Sequence, residues 1–159
     1  MERLERFWAE ISKAKAMVIG GILRAFVSRD MSNLAKKVLI ADGDESFRES
    51  LRTFLSSLRY DVLEATSGPE TVEMASTLRP DLIIMDVQLP GLKGDEIMRQ
   101  LKKNLFTQRI PVVLNTGWTT ACNVEERIER ALTAGAAEVL YRPLQLPMLR
   151  NVMRSYLSA

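Results

Sequence analysis

The chain has 159 residues, with 22 Lys and Arg against 20 Asp and Glu, no histidine and a formal net charge of +2. Lacking histidine, it has no means of forming a phosphohistidine, a Ser-His-Asp triad or a histidine-ligated metal site, and its single cysteine, Cys122, excludes an internal disulfide framework and the usual structural zinc ligands. The charge excess lies wholly in residues 1–30; residues 31–159 are neutral overall and lack the basic surplus of a nucleic-acid binder.

The first thirty residues place Leu4, Phe7, Ile11, Ala14, Val18, Ile22 and Ala25 at helical spacing, with Lys and Arg between them. The apolar run over residues 16–23 is too short to span a bilayer and carries no signal-peptide cleavage site. Gly20 and Gly21 weaken a long isolated helix. Three readings stand for this segment: a packing helix that could build a homodimer, a marginally ordered extension, and a membrane-surface helix. Residues 1–35 are expected to form this helical extension or linker, and residues 36–159 the main domain.

Residues 38–41 are apolar and end in Asp42-Gly43-Asp44-Glu45. Phe47, Leu51, Phe54, Leu55 and Leu58 then recur every three or four residues, which predicts an amphipathic helix that Asp44 could cap. Residues 60–65 read as a short strand. Ser67-Gly68-Pro69 opens a second helix, with Val72, Ala75 and Leu78 on one face. Residues 82–85 form a continuous apolar run, suited to a strand buried on both faces of a parallel sheet, and Asp86 ends it. Residues 89–94 make a turn, and a helix from about Asp95 follows with Ile97, Leu101 and Leu105 inward.

Residues 111–114 give a fourth strand ending at Asn115-Thr116-Gly117. A polar loop and a helix over residues 124–134, stopped by Gly135, come next. Residues 139–141 are a fifth strand before Arg142-Pro143. A last helix over residues 146–157 turns Leu149, Val152, Met153 and Tyr156 inward. Five βα units in order predict an α/β fold with a five-stranded parallel sheet, doubly wound. Sites in such sheets form at the carboxyl ends of the strands. Those ends carry Asp42 and Asp44, Asp86, Thr116, and Arg142.

Two or three carboxylates, a hydroxyl and a fixed cation suit phosphoryl chemistry. A carboxylate can attack phosphorus and form an acyl phosphate. Cations neutralise the phosphoryl oxygens, and the hydroxyl can hydrogen-bond the new group. Any bound metal must be held by oxygen, which favours magnesium or calcium.

The segment Val38-Leu39-Ile40-Ala41-Asp42-Gly43-Asp44 resembles the first strand and acidic corner of response-regulator receiver domains. Residues 81–94, with Asp86 and Leu89-Pro90-Gly91 inside them, resemble the phosphoacceptor strand and turn of that family. Residues 111–117 are similar to its fourth strand and switch hydroxyl, and residues 134–144 to its fifth-strand segment. The resemblance covers about residues 36–157. It implies a flavodoxin-like (βα)5 fold with strand order 2-1-3-4-5. It implies a phosphoacceptor at Asp86, with Thr116 and Arg142 acting on the phosphoryl group. Magnesium would be held by Asp42, Asp86 and the Gln88 backbone carbonyl, with Asp44 as a further candidate. A histidine kinase or histidine phosphotransfer protein would be the donor and a downstream protein the target, and the single cysteine, Cys122, fits a reducing compartment, the cytoplasm. A receiver of this kind is a signalling module rather than an enzyme.

Three departures modify that expectation. Gly43 stands where the family carries its second acid, which weakens the expected magnesium site. Arg142 replaces a lysine, and a planar fork is not equivalent to a compact ammonium. Val139 occupies the position of the switch aromatic. Trp118 is placed to tune access to the phosphoryl group, and the stretch between Thr116 and Gly135 is about one helical turn longer than usual. A degenerate receiver, acting through protein contacts without phosphorylation, is therefore the alternative. More remotely, Asp42-Gly43-Asp44 is similar to the first motif of haloacid-dehalogenase-type phosphatases, which would make Asp42 a nucleophile. Those enzymes need a further acidic pair on a later strand.

Overall fold

The computed structural model describes residues 35–117 and 123–157. The expectations for residues 1–34, Trp118 and Cys122 lie outside the described residues. Five strands, β1 (Lys37–Ala41), β2 (Asp61–Ala65), β3 (Leu82–Asp86), β4 (Val112–Thr116) and β5 (Glu138–Tyr141), alternate with five helices. These are α1 (Glu45–Ser57), α2 (Gly68–Leu78), α3 (Gly94–Lys103), α4 (Val124–Thr133) and α5 (Leu146–Leu157). All pairings are parallel, in the order β2-β1-β3-β4-β5, as expected. Among the described residues no helix is long and apolar enough to cross a membrane.

Side chains alternate across a strand, and that alternation divides the core into two layers. Leu39, Ile83, Met85, Val112 and Leu114 face one way and pack against Ala75 of α2, Ile97, Met98 and Leu101 of α3, and Ile128 and Ala131 of α4. Val38, Ile40, Leu82, Ile84, Val113 and Leu140 face the other way, onto Leu51 and Leu55 of α1 and Leu149, Val152 and Met153 of α5. Each fully buried Leu or Ile side chain contributes roughly 1.5–3 kcal/mol relative to exposure.

Local chemistry sets the helix ends. Asp44 caps α1, its Oδ1 accepting from Phe47 N at 3.2 Å. Ser67 caps α2 with Pro69 in the first turn, and Glu70 Oε2 accepts from Thr66 N at 2.7 Å. Gly135 takes φ +104° just past α4, a left-handed conformation that glycine adopts without steric cost.

Two apolar positions differ from the expectation. Leu105 is 79% exposed rather than inward. Its helix ends at Lys103, because Asn104 is extended and its Oδ1 accepts from Phe106 N at 2.9 Å, turning the chain away. Leu78 is 37% exposed: the inward face of α2 is made by Gly68, Thr71 and Ala75, and Leu78 sits on the last turn.

Candidate functional site

The alternation that builds the core also builds the site. Asp42, Asp86, Asn115 and Arg142 continue the parity of Ile40, Ile84, Val113 and Leu140, the side chains that face α1 and α5. Register sets Asp42, Asp86 and Asn115 level, since Ala41 lies opposite Met85 and Asp86 opposite Asn115, while Asn115 lies opposite Leu140, so Arg142 stands two residues further along the fifth strand's line. Residues 27 to 100 positions apart in sequence thus converge at the carboxyl edge of the sheet.

Arg142 is the hub. One guanidinium nitrogen, Nη2, pairs with Asp42 Oδ2 and lies 3.7 Å from Asp86 Oδ2. The same group stacks on the Phe47 ring of α1, 3.8 Å from its centroid. The Asn115 amide is oriented by its neighbours. With its oxygen toward the guanidinium it accepts from Arg142 Nη2 at 2.9 Å and from Nε at 3.1 Å. Two such bonds outweigh the 3.5 Å contact that the reversed amide makes with Asp42. The fork therefore meets a carboxylate, an amide oxygen and an aromatic face together, with a second carboxylate nearby, an arrangement its planar geometry suits.

The carboxylates differ in setting. Asp42 is 1% exposed, and its Oδ1 accepts from Asp44 N at 2.8 Å. Its backbone carbonyl accepts from Arg48 Nη1 at 2.8 Å, so α1 also braces it. Asp86 is half-buried, with Oδ1 accepting from Gln88 N at 3.0 Å. Burial raises the pKa of both above the usual aspartate value. The hydrogen bond from Asp44 N and the charge of Arg142 oppose that rise at Asp42. At Asp86 the bond from Gln88 N and Arg142 oppose it, while the charge of Asp42 adds to it.

The other expected site residues fall around this cluster. Thr116 is buried at the end of β4, opposite Tyr141, on the other alternation from Asp86. Its hydroxyl makes a long contact of 3.4 Å with the Gly117 carbonyl. Asp44 is exposed, with one oxygen engaged in the helix cap. Val139, at the switch-aromatic position, is half-buried and packs against the core layer of α2, α3 and α4. Asn115 and Phe47 were not singled out from sequence. Asn115 was legible as a polar residue inside an apolar strand; Phe47 looked like any other apolar position of an amphipathic helix.

The donor set is compatible in kind with a hard divalent cation, since Asp42, Asp86 and the Gln88 carbonyl all offer oxygen. It is one carboxylate short at Gly43, and Arg142 already contacts both acids. Among the described residues no three Asp, Glu, Cys or His side chains are grouped as a metal site. Space is not the obstacle. A Cβ built on Gly43 meets only Pro90 Cδ, at 3.9 Å.

Comparison with known proteins agrees with this geometry. The response regulator receiver domain family matches residues 38–154. Response regulator MprA of Mycobacterium ulcerans is 36% identical over 124 residues, which is 78% of this chain and 51% of that protein. The chain thus spans about half the length of that relative. The polar-differentiation response regulator DivK of Brucella ovis is 30% identical over 124 residues, covering 78% of this chain and 98% of DivK. The receiver domain of the Pseudomonas aeruginosa sensor histidine kinase PA1611 superposes with a TM-score of 0.69 at 24% identity. That match covers 79% of this chain and 99% of the domain, whose crystal structure has magnesium coordinated in the active-site cleft. This chain therefore belongs to the response regulator receiver domain family.

Proposed function

We propose that this receiver accepts a phosphoryl group on Asp86 within a phosphorelay and signals through contacts that the folded domain makes with other proteins. The observation that carries the reading is the placement of Asp86. It ends a fully apolar strand, beside a second buried carboxylate and a guanidinium held 3.7 Å away. An Asp86 carboxylate oxygen attacks phosphorus, the oxygen–phosphorus bond forms, and the donor's bond to phosphorus breaks with its electron pair leaving on the donor. Arg142 supplies fixed positive charge to the phosphoryl oxygens, and the Thr116 hydroxyl donates to one of them. The donor is a histidine kinase or a histidine phosphotransfer protein, and the compartment is the cytoplasm. Asp42, Asp86 and the Gln88 carbonyl, with Asp44 as a further candidate, would hold magnesium weakly. When bound, that ion supplies further neutralisation of phosphoryl charge.

The test is incubation of the full chain with acetyl phosphate and magnesium, followed by intact mass. One added phosphoryl group on the wild type and none on Asp86→Asn is the expected result. An unlabelled wild type, under conditions that label another receiver, would overturn it. The degenerate reading, a module that works without phosphorylation, is favoured by one specific observation: Arg142 already bridges the acidic pair that a cation would need.

A further inference from the structure

The proposed function makes Arg142, in its position after β5, a partner for a phosphoryl group once that group is present. Here the guanidinium is committed before any phosphoryl group arrives. It pairs with Asp42 Oδ2, lies 3.7 Å from Asp86 Oδ2, accepts the stacking face of Phe47 at 3.8 Å and donates twice to Asn115. Its side chain is 21% exposed, so the contacts are made largely out of water, where charge interactions are stronger.

We infer that Arg142 is the built-in counter-cation of this site, and that a divalent cation competes with it for Asp42 Oδ2 and Asp86 Oδ2. Three observations converge on this. The acidic pair has two carboxylates and one fixed unit charge within reach, so much of its charge is already neutralised. Gly43 removes the further acid that would tip the balance toward a doubly charged ion. Asn115, placed inside β4 on the same face, gives the guanidinium one neutral acceptor oxygen that takes bonds from both Nη2 and Nε, a paired contact suited to the planar fork. Phe47 closes the opposite side, so the fork is held by a set of contacts rather than by a single ion pair. A divalent ion entering between the acids meets the guanidinium either as a like charge beside it or as a group to be displaced.

The inference concerns the same site as the proposed phosphoacceptor, but its test reads cation binding and needs no phosphorylation. Manganese binding to the full chain is followed by loss of the free-ion electron paramagnetic resonance signal, with magnesium as competitor. Wild type, Arg142→Gln and Asp86→Asn are compared at neutral pH and one ionic strength. Removing a unit positive charge at such short range is expected to tighten binding by about tenfold or more in Arg142→Gln. Asp86→Asn should bind more weakly than wild type, placing the ion at this pair. In isotope-labelled wild type, the Arg142 Nε–H resonance should shift in step with metal occupancy, a readout that does not depend on any variant folding. Manganese affinity unchanged within about twofold in a folded Arg142→Gln, or an Arg142 resonance that stays put while metal saturates, would overturn the inference. A chain that binds metal as expected but takes no phosphoryl group would sink the proposed function and leave the inference standing.

Discussion

Replacing Arg142 with alanine should destabilise the fold at neutral pH by about 3 kcal/mol. Removing one partner of a buried ion pair typically costs about 3–5 kcal/mol, because the other charge is left uncompensated. Asp42, with its side chain 2% exposed, is the stranded charge; the 21% exposure of Arg142 places the loss at the low end of that range. The lost cation–π contact with Phe47 adds up to about 2 kcal/mol. Proton uptake by Asp42 offsets part of the total. The sign of the pH dependence follows from burial. The Asp42 carboxyl titrates above its ordinary value of 3.8, so its favourable contribution is present below that value and is lost as pH rises through the raised one. Arg142 lowers that pKa, and removing it pushes titration further up and deepens the loss. The deficit of the variant therefore grows from acid to neutral pH. Thermal unfolding followed by circular dichroism should show a Tm lower by about 10 °C at neutral pH. Urea titration should show a midpoint lower by about 2 M, for a slope of about 1.5 kcal/mol/M. A Tm drop under about 2 °C, or an equal drop at acid and neutral pH, would refute the claim that Arg142 neutralises a buried Asp42.

Burial raises the pKa of Asp86 above 3.8, and only the carboxylate can attack phosphorus, so labelling by acetyl phosphate should accelerate as pH rises through that raised value and then level off; a rate that does not change with pH above 3.8 would contradict it. Introducing an acid by Gly43→Asp meets only Pro90 Cδ at 3.9 Å, so the variant should fold and bind manganese about tenfold more tightly, read in the same paramagnetic titration; unchanged affinity would show that the missing acid is not what limits the site. Asp44→Ala removes the cap on Phe47 N and should cost about 1 kcal/mol in chemical denaturation while leaving manganese affinity within about twofold; a loss of affinity without loss of stability would make Asp44 a ligand rather than a cap.

Two levels of physics decided how much of this was readable in advance. The order of strands and helices, the doubly wound sheet and the candidacy of Asp86 follow from local signals: short apolar runs, helical spacing, and an acid at the end of a run buried on both faces. Strand order in a parallel sheet was inferred from family resemblance and appears in the structure as β2-β1-β3-β4-β5. The cap role of Asp44 was one of two readings open for that residue, and the structure places its Oδ1 on Phe47 N. Leu105 was misread because spacing alone does not register that Asn104 turns the backbone and ends the helix two residues earlier.

The sequence by itself determined which residues stand at the carboxyl ends of the strands, because apolar runs and their breaks are local in the chain. Only the tertiary structure decided how those residues are joined. Strand parity directs Asp42, Asp86, Asn115 and Arg142 to one face, register sets the first three level across β1, β3 and β4, and the long Arg142 side chain reaches them from two residues past Leu140. The packing of α1 against that face then puts Phe47 on the guanidinium. Parity shows on each strand separately, but contact between Asp42 and Arg142, a hundred residues apart, exists only once the sheet has formed.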